Sequence, residues 1–197
     1  MVQKKIYIKN ISLKLIGKYN VLNATAAIAL CLNLGLRIKT IKQALKSFSG
    51  VQRRLTKVFK KNNVEFYDDY AHHPTEIKSV LEAVRKVAPK RKIVTIFQPH
   101  RYSRLRSLNL EFSLCFKDTS QIILCPVYSA GEAIDKKYNK YKFAKSILKF
   151  SKVQVIIAKD ELDITKYLKK NLINNEIVIG MGAGSISQWM HNLKKNL

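Results

Sequence analysis

From residue 51 onward, short apolar runs alternate with longer stretches of helical spacing, and this alternation limits the fold more than any other feature of the chain. The runs near 55–59, 64–67, 92–97, 120–125, 153–158 and 176–180 read as strands. The stretches near 74–88, 104–117, 140–150, 160–171 and 184–195 read as helices. Strands that alternate with helices imply an α/β fold, with a parallel sheet covered on both faces and joined by right-handed crossovers. Runs such as 153–157 and 177–179 are almost continuous Ile and Val, as a strand buried on both faces requires.

The first fifty residues read differently. Residues 4–16 alternate, with Ile6, Ile8, Leu13 and Leu15 among polar neighbours, and suggest one or two short strands. Residues 20–34 are rich in Ala and form a strong helix, stopped by Gly35. Residues 38–48 form a second helix, with Ile38, Ile41, Leu45 and Phe48 on one stripe. Ser49-Gly50 breaks the pattern, so the expected division is a short, mostly helical segment 1–50 and a larger domain 51–197.

With 197 residues and 47% apolar content, the chain can bury a core, which excludes global disorder. No apolar run approaches the ~20 residues of a membrane span, and no long apolar stretch follows the first lysines. A cytoplasmic location without membrane contact is expected. Cys31, Cys115 and Cys125 fit no metal-ligand spacing and read as buried thiols of a reducing compartment. The net charge of +24 admits two readings, an anionic partner or compositional drift. The 29 Lys are scattered over every helix and form no block interleaved with stacking aromatics, so drift with a general attraction for phosphates is preferred and no nucleic-acid partner is expected.

In a parallel sheet, ligand groups gather past the carboxyl ends of the strands. The polar motifs fall there: Asp69 and His72, Arg101 and Arg104, Tyr128 to Glu132, and Gly182 to Ser185. Asp68 and Asp69 leave one strand on opposite sides, so only one is expected to face a cleft. The adjacent His72 and His73 are poorly placed to chelate one ion, and either can serve as a helix cap or a packed ring; no metal site is assigned. Arg101 and Arg104, three apart at a helix start, can form a carboxylate clamp. The turn Gly180-Met181-Gly182-Ala183-Gly184-Ser185 follows a strand and opens a helix. It lacks the dinucleotide spacing, and both a ligand contact and a packing turn remain open. Arg53-Arg54 can be a solvated linker or can reach a phosphate. No G-x-x-x-x-G-K-[ST] occurs, so the chain has no phosphate-gripping loop of its own.

Taken in order, these stretches resemble the Mur ligase family. Gly17 to Ala24 is similar to the G-x-H-N-x-x-N-A stretch at the end of that family's central ATP-binding domain, and Phe48 to Arg54 to the hinge that follows. Asp68 to Ile77, Phe97 to Arg104, Tyr128 to Glu132 and Gly182 to Ile186 resemble the loops of its Rossmann-like C-terminal domain. The resemblance implies an ATP- and Mg²⁺-dependent, amide-forming ligase. Within the family, the resemblance implies the member that joins L-alanine to UDP-N-acetylmuramate through an acyl phosphate in peptidoglycan synthesis. Carried over by residue, it implies that Asn20 and Asn23 meet the adenine side of ATP. Arg54 and Asp69 would meet the phosphate–ribose region. His72, Arg101 and Arg104 would hold the amino acid, with His72 also placed to take a proton from its amine. Tyr19 stands where the family has His.

The resemblance covers only about the last two-fifths of such an enzyme. The UDP-sugar domain, the phosphate loop and the Mg²⁺ ligands fall outside it, so the fragment alone is expected to be inactive. Alternatives are a fragment of the related ligase that attaches a ready-made tripeptide, or a non-catalytic fragment. The latter would be a split-gene product working with a separate N-terminal chain, or a decayed remnant.

Overall fold

A computed structural model describes residues 7–197. The chain falls into two compact units, one ending at Gly50 and the other running from Val51 to Leu197.

The first unit is a helical pair, α1 (Lys18–Asn33) and α2 (Ile38–Ser47), packed on each other. Gly35 ends α1 at φ +78. The Leu36 N–H donates to Cys31 O and the Gly35 N–H to Leu32 O, the two bonds of a Schellman stop. The strands expected over 4–16 are not found: 7–16 form no strand, and 4–6 lie outside the described residues. Alternation makes a strand only where a second strand supplies hydrogen bonds, and none lies among the described residues of this unit. The apolar stripe is also only partly realised. Ile41 is buried, whereas Ile38 and Phe48 are exposed, and α1 buries no residue. Two helices alone have too little mutual surface to cover both apolar faces.

The second unit holds a six-stranded sheet in the order β1-β2-β6-β3-β4-β5. Its strands are β1 (Thr56–Lys61), β2 (Val64–Asp69), β3 (Ile93–Phe97), β4 (Gln121–Leu124), β5 (Gln154–Ile157) and β6 (Ile177–Met181). All neighbours pair in parallel except β1 with β2. These two form a hairpin through Asn62 and Asn63, both at positive φ (47° and 62°), the geometry that a two-residue turn between twisted strands demands. The sheet is therefore α/β and mostly parallel, as expected.

The helices are α3 (Pro74–Val87), α4 (Tyr102–Ser107), α5 (Asn109–Leu114), α6 (Lys140–Ser151), α7 (Glu161–Asn171) and α8 (Ile186–Asn196). The single helix expected over 104–117 is broken at Leu108 (φ −119, ψ 30). Alternate strand residues Val64, Phe66, Val94, Ile96, Ile123 and Val178 pack with Ile164 and Leu168 of α7 and Ile186, Met190 and Leu193 of α8. The opposite set includes Phe97, whose ring meets Phe112 at 5.7 Å and Phe116 at 5.2 Å. Cys115 and Cys125 are buried free thiols, held well above the usual thiol range by desolvation; Cys31 is only half-buried.

At the amino ends of the strands, two arginines fasten the loops. Arg91 donates to Glu65 Oε2 at 2.6 Å and to the carbonyls of Asn63, Asn175 and Glu176. Arg85 donates to the carbonyls of Asp118, Pro89 and Arg91 and to Ser120 Oγ. Burial works against ionisation of Glu65, but hydrogen bonds from Lys57 and Arg91 overcome it and bring its pKa to about 2.

Candidate active site

At the carboxyl end of β2, Asp68 and Asp69 do point to opposite sides, but both are buried. Asp68 Oδ2 accepts from Ser187 Oγ of α8 at 2.5 Å and lies 3.5 Å from Arg53 Nε. Its Oδ1 is buried with no hydrogen-bond partner. Asp69 turns the other way, accepting from the backbone N–H of Ala71 (Oδ1) and of Leu55 (Oδ2), each at 2.7 Å. Desolvation outweighs these two donors and raises the Asp69 pKa to about 6. Arg53 ties the same corner together. It donates to Gly182 O at 2.8 Å and lies 4.7 Å from the centre of the Tyr70 ring, which Arg54 approaches at 5.8 Å from its exposed position.

The two adjacent histidines have separate tasks. His73 caps α3, its Nδ1 accepting from the Thr75 N–H, while Glu76 accepts from the N–H groups of both His72 and His73. Partial burial opposes ionisation of Glu76, yet those two N–H donors hold its carboxyl below the usual range. His72 goes to the rim, with Nδ1 2.9 Å from Tyr70 O and 3.6 Å from Glu76 Oε2. Its ring meets Tyr70 edge-on at 5.2 Å and His100 at 5.5 Å.

Past β3, His100 stacks on Tyr128 at 5.6 Å. Arg104 Nη1 lies 3.2 Å from His100 Nδ1, one helical turn away. Burial, then the charge of Arg104, lowers the His100 pKa, with His72 and Arg101 adding to the effect. The neutral ring accepts from Arg104 at Nδ1, which places its own proton on Nε2. Arg101 is exposed and holds φ +69 with ψ 134, a conformation that costs a residue with a Cβ about 1–3 kcal/mol. Its N–H donates to Tyr128 O at 2.9 Å.

The structure thus links His72 to Arg104 through His100, with Arg101 at the start of the helix that carries Arg104. It adds Tyr70, His100 and Tyr128, which form a connected row of rings with His72; pattern reading placed Tyr128 on the rim but gave none of the three a role. The spacing of His100 and Arg104, four apart, was the available signal. Arg54 approaches the Tyr70 ring, and Asp69 is the residue just before Tyr70 in the chain. Asn20 and Asn23 lie on α1, where Asn20 Nδ2 donates to Ile16 O at 2.7 Å and Asn23 is exposed.

The Gly-rich turn is a packing turn. A Cβ on Gly182 (φ +152) would stand 2.7 Å from Gln98 O, and one on Gly184 would stand 2.4 Å from the Tyr128 ring. The start of α8 is already occupied by Gln98, whose Oε1 accepts from the Ile186 N–H at 3.0 Å and whose Nε2 donates to Ser185 Oγ at 2.9 Å.

Among the described residues, no helix is long and apolar enough to cross a membrane, and no group of three His, Cys, Asp or Glu stands together to hold a metal ion. Comparison with known proteins finds the Mur ligase, glutamate ligase domain over residues 53–184. The UDP-N-acetylmuramate–L-alanine ligase of Pelagibacter ubique is 47% identical over 97% of this chain. The crystal structure of a UDP-N-acetylmuramate-alanine ligase from Thermotoga maritima superposes over 94% of the chain with a TM-score of 0.77 and 29% identity. A murein peptide ligase from Psychrobacter arcticus shares the fold, with a TM-score of 0.68 and 21% identity over 94% of the chain. The chain spans 41% of the Pelagibacter relative and 39% of the Thermotoga chain.

Proposed function

The chain belongs to the Mur ligase family, and on that premise we propose that it is the C-terminal part of a cytoplasmic ligase joining L-alanine to UDP-N-acetylmuramate with ATP. The observation that carries this reading is the convergence of His72, His100 and Arg104 where the loops after β2 and β3 meet, with Arg101 beside them.

The chemistry follows from those groups. ATP converts the muramoyl carboxylate to an acyl phosphate, and the neutral amine of alanine displaces the phosphate. Arg101 and Arg104 fix alanine's carboxylate by charge-assisted hydrogen bonds. His72 orients the amine or receives its proton, and holding the amine in place supplies much of the rate. Arg104 has one Nη committed to neutral His100, so the rest of its fork can meet an anion. Arg54 and Asp69 serve the phosphate–ribose region of ATP, and Asn20 and Asn23 the adenine. The Mg²⁺ of the reaction is assigned to the family's central domain, outside this chain.

The tripeptide-adding ligase is the second reading. The higher similarity to the alanine enzymes and the pair of arginines close together favour the smaller amino acid.

The test is ADP release dependent on both UDP-N-acetylmuramate and L-alanine. The chain alone is expected to give none, because nothing in it grips the γ-phosphoryl group. Addition of the N-terminal part that its relatives carry, in one longer chain or as a separate one, is expected to give alanine-dependent release. Release that depends on a tripeptide instead would select the second reading, and release from the chain alone would refute the division of labour.

A further inference from the structure

The arginine loop holds a backbone conformation that it would not keep unaided, and the surrounding contacts identify what keeps it. Arg101 sits at φ +69 between β3 and α4. No side chain of its own caps α4, a helix of only six residues. The support comes from residues 128–132, about thirty positions later. Tyr128 O accepts the Arg101 N–H at 2.9 Å, the Tyr128 N–H donates to Pro99 O at 2.8 Å, and the Tyr128 ring stacks on His100. The chain then reverses through Ala130 (φ +51) and Gly131 (φ +87), closed by the Glu132 N–H donating to Ser129 O at 3.1 Å. That turn delivers the Glu132 carboxylate to the start of α4. Oε2 accepts from the Ser103 N–H at 3.1 Å, and Oε1 from the Ser103 hydroxyl.

We propose that residues 128–132 form a brace that holds the arginine loop in its positive-φ, ligand-ready form, with Glu132 as the positioning residue for Arg101 and Arg104. This rests on the reading that the loop receives the amino acid's carboxylate. The arrangement solves a specific problem. A carboxylate beside two arginines would ordinarily pair with them and compete with the substrate. Here both Glu132 oxygens are committed to Ser103, so the acid orders the loop while the guanidinium donors stay available. The same hydrogen bonds from Ser103 hold the Glu132 carboxyl below the usual range. Without the brace, Arg101 is free to return to negative φ, which re-aims its side chain relative to His100 and Arg104.

The test uses the 197-residue chain and two NMR readouts: backbone amide exchange at Arg101 and Ser103, and the arginine Nε–H signals during titration with L-alanine. Glu132→Ala is expected to speed exchange at both amides by about tenfold, the equivalent of one lost hydrogen bond. It should weaken the alanine response of Arg101 and Arg104 by a similar factor. Glu132→Gln keeps an acceptor for the cap and is expected to restore both, which a loss of charge alone would not do. The amide readout judges the brace itself: unchanged exchange in Glu132→Ala overturns it. Faster exchange with an unaltered alanine response overturns the positioning role. If the unsubstituted chain shows no arginine response to L-alanine, the carboxylate reading fails, and with it the purpose assigned to the brace, whatever the amides do.

Discussion

The two ends of one sheet use the same side chain in opposite ways. At the amino end, Arg85 makes five hydrogen bonds and Arg91 four: carbonyls, a hydroxyl and Glu65 take nearly all their donors. At the carboxyl end, Arg54 and Arg101 are exposed, and Arg104 is engaged through Nη1 alone. An arginine whose fork is filled from within the chain is a structural tie. One with donors to spare, such as Arg101 on its strained backbone, is free to meet an anion from outside, the role proposed for it above. The acids do not divide in this way: Glu65 is locked to Lys57 and Arg91, but a buried carboxylate oxygen without a partner occurs at both ends, in Glu176 and in Asp68.

The sharpest way to break this contrast is at the two adjacent acids. In the complete enzyme, Asp69→Asn is expected to lower ATP use by roughly ten- to a hundredfold, the worth of a hydrogen bond to a charged group. Asp68→Asn should leave ATP use closer to normal and instead lower the melting temperature, since Arg53 and Ser187 lose their anion. Equal effects on ATP use, or the reverse order, would undo the assignment.

The next effect is pH-dependent and has opposite signs at the two ends. Asp69 has a folded pKa of about 6, above its ordinary 3.8. Its contribution to stability is therefore present below pH 3.8 and lost as pH rises through 6, on the order of 3 kcal/mol. Glu65, at about 2 against an ordinary 4.5, contributes above pH 4.5 and loses that contribution as pH falls towards 2. Denaturant titrations from pH 3 to 7 check both. Asp69→Asn should flatten the decline between pH 4 and 6, and Glu65→Gln should flatten the loss below pH 4.5. A decline that persists in Asp69→Asn contradicts the raised pKa.

A smaller effect separates the two units. With α1 burying no residue, amides of 18–47 are expected to exchange well before those of β3 and β6. Uniform strong protection from residue 20 onward would instead mean that the helical pair is as stable as the sheet.

How far all this was legible in the sequence depends on the distance over which each feature is decided. The strands and helices after residue 51 follow from local periodicity, and their loops carry the site residues because a parallel sheet gathers its carboxyl ends. The reversal of β1 was also written locally, in Asn62-Asn63, a pair that tolerates positive φ at both positions. The break at Leu108 was not visible as a helix stopper, since neither Gly nor Pro marks it. The stacking of His100 on Tyr128 and the reach of Glu132 to Ser103 depend on how a long connection after β4 folds back, which no spacing rule encodes. The strands expected over residues 4–16 failed for the converse reason: alternation is local, but a strand needs a partner.

The central claim, that Arg54, Arg101 and Arg104 at the carboxyl end serve a ligand while Arg85 and Arg91 at the amino end serve the fold, is tested most directly by comparing Arg101→Ala with Arg91→Ala in the complete enzyme. Two quantities are measured for each: KM for L-alanine and the melting temperature. Arg101→Ala is expected to raise KM by roughly 30- to 150-fold, about 2–3 kcal/mol for lost charge-assisted bonds, with KM for ATP and the melting temperature nearly unchanged. Arg91→Ala is expected to lower the melting temperature by roughly 5–10 °C, the result of losing about 2–3 kcal/mol of stability, and to leave KM for alanine unchanged. A large melting shift from Arg101→Ala with an ordinary KM for alanine, or an alanine defect from Arg91→Ala in fully folded protein, would contradict the account.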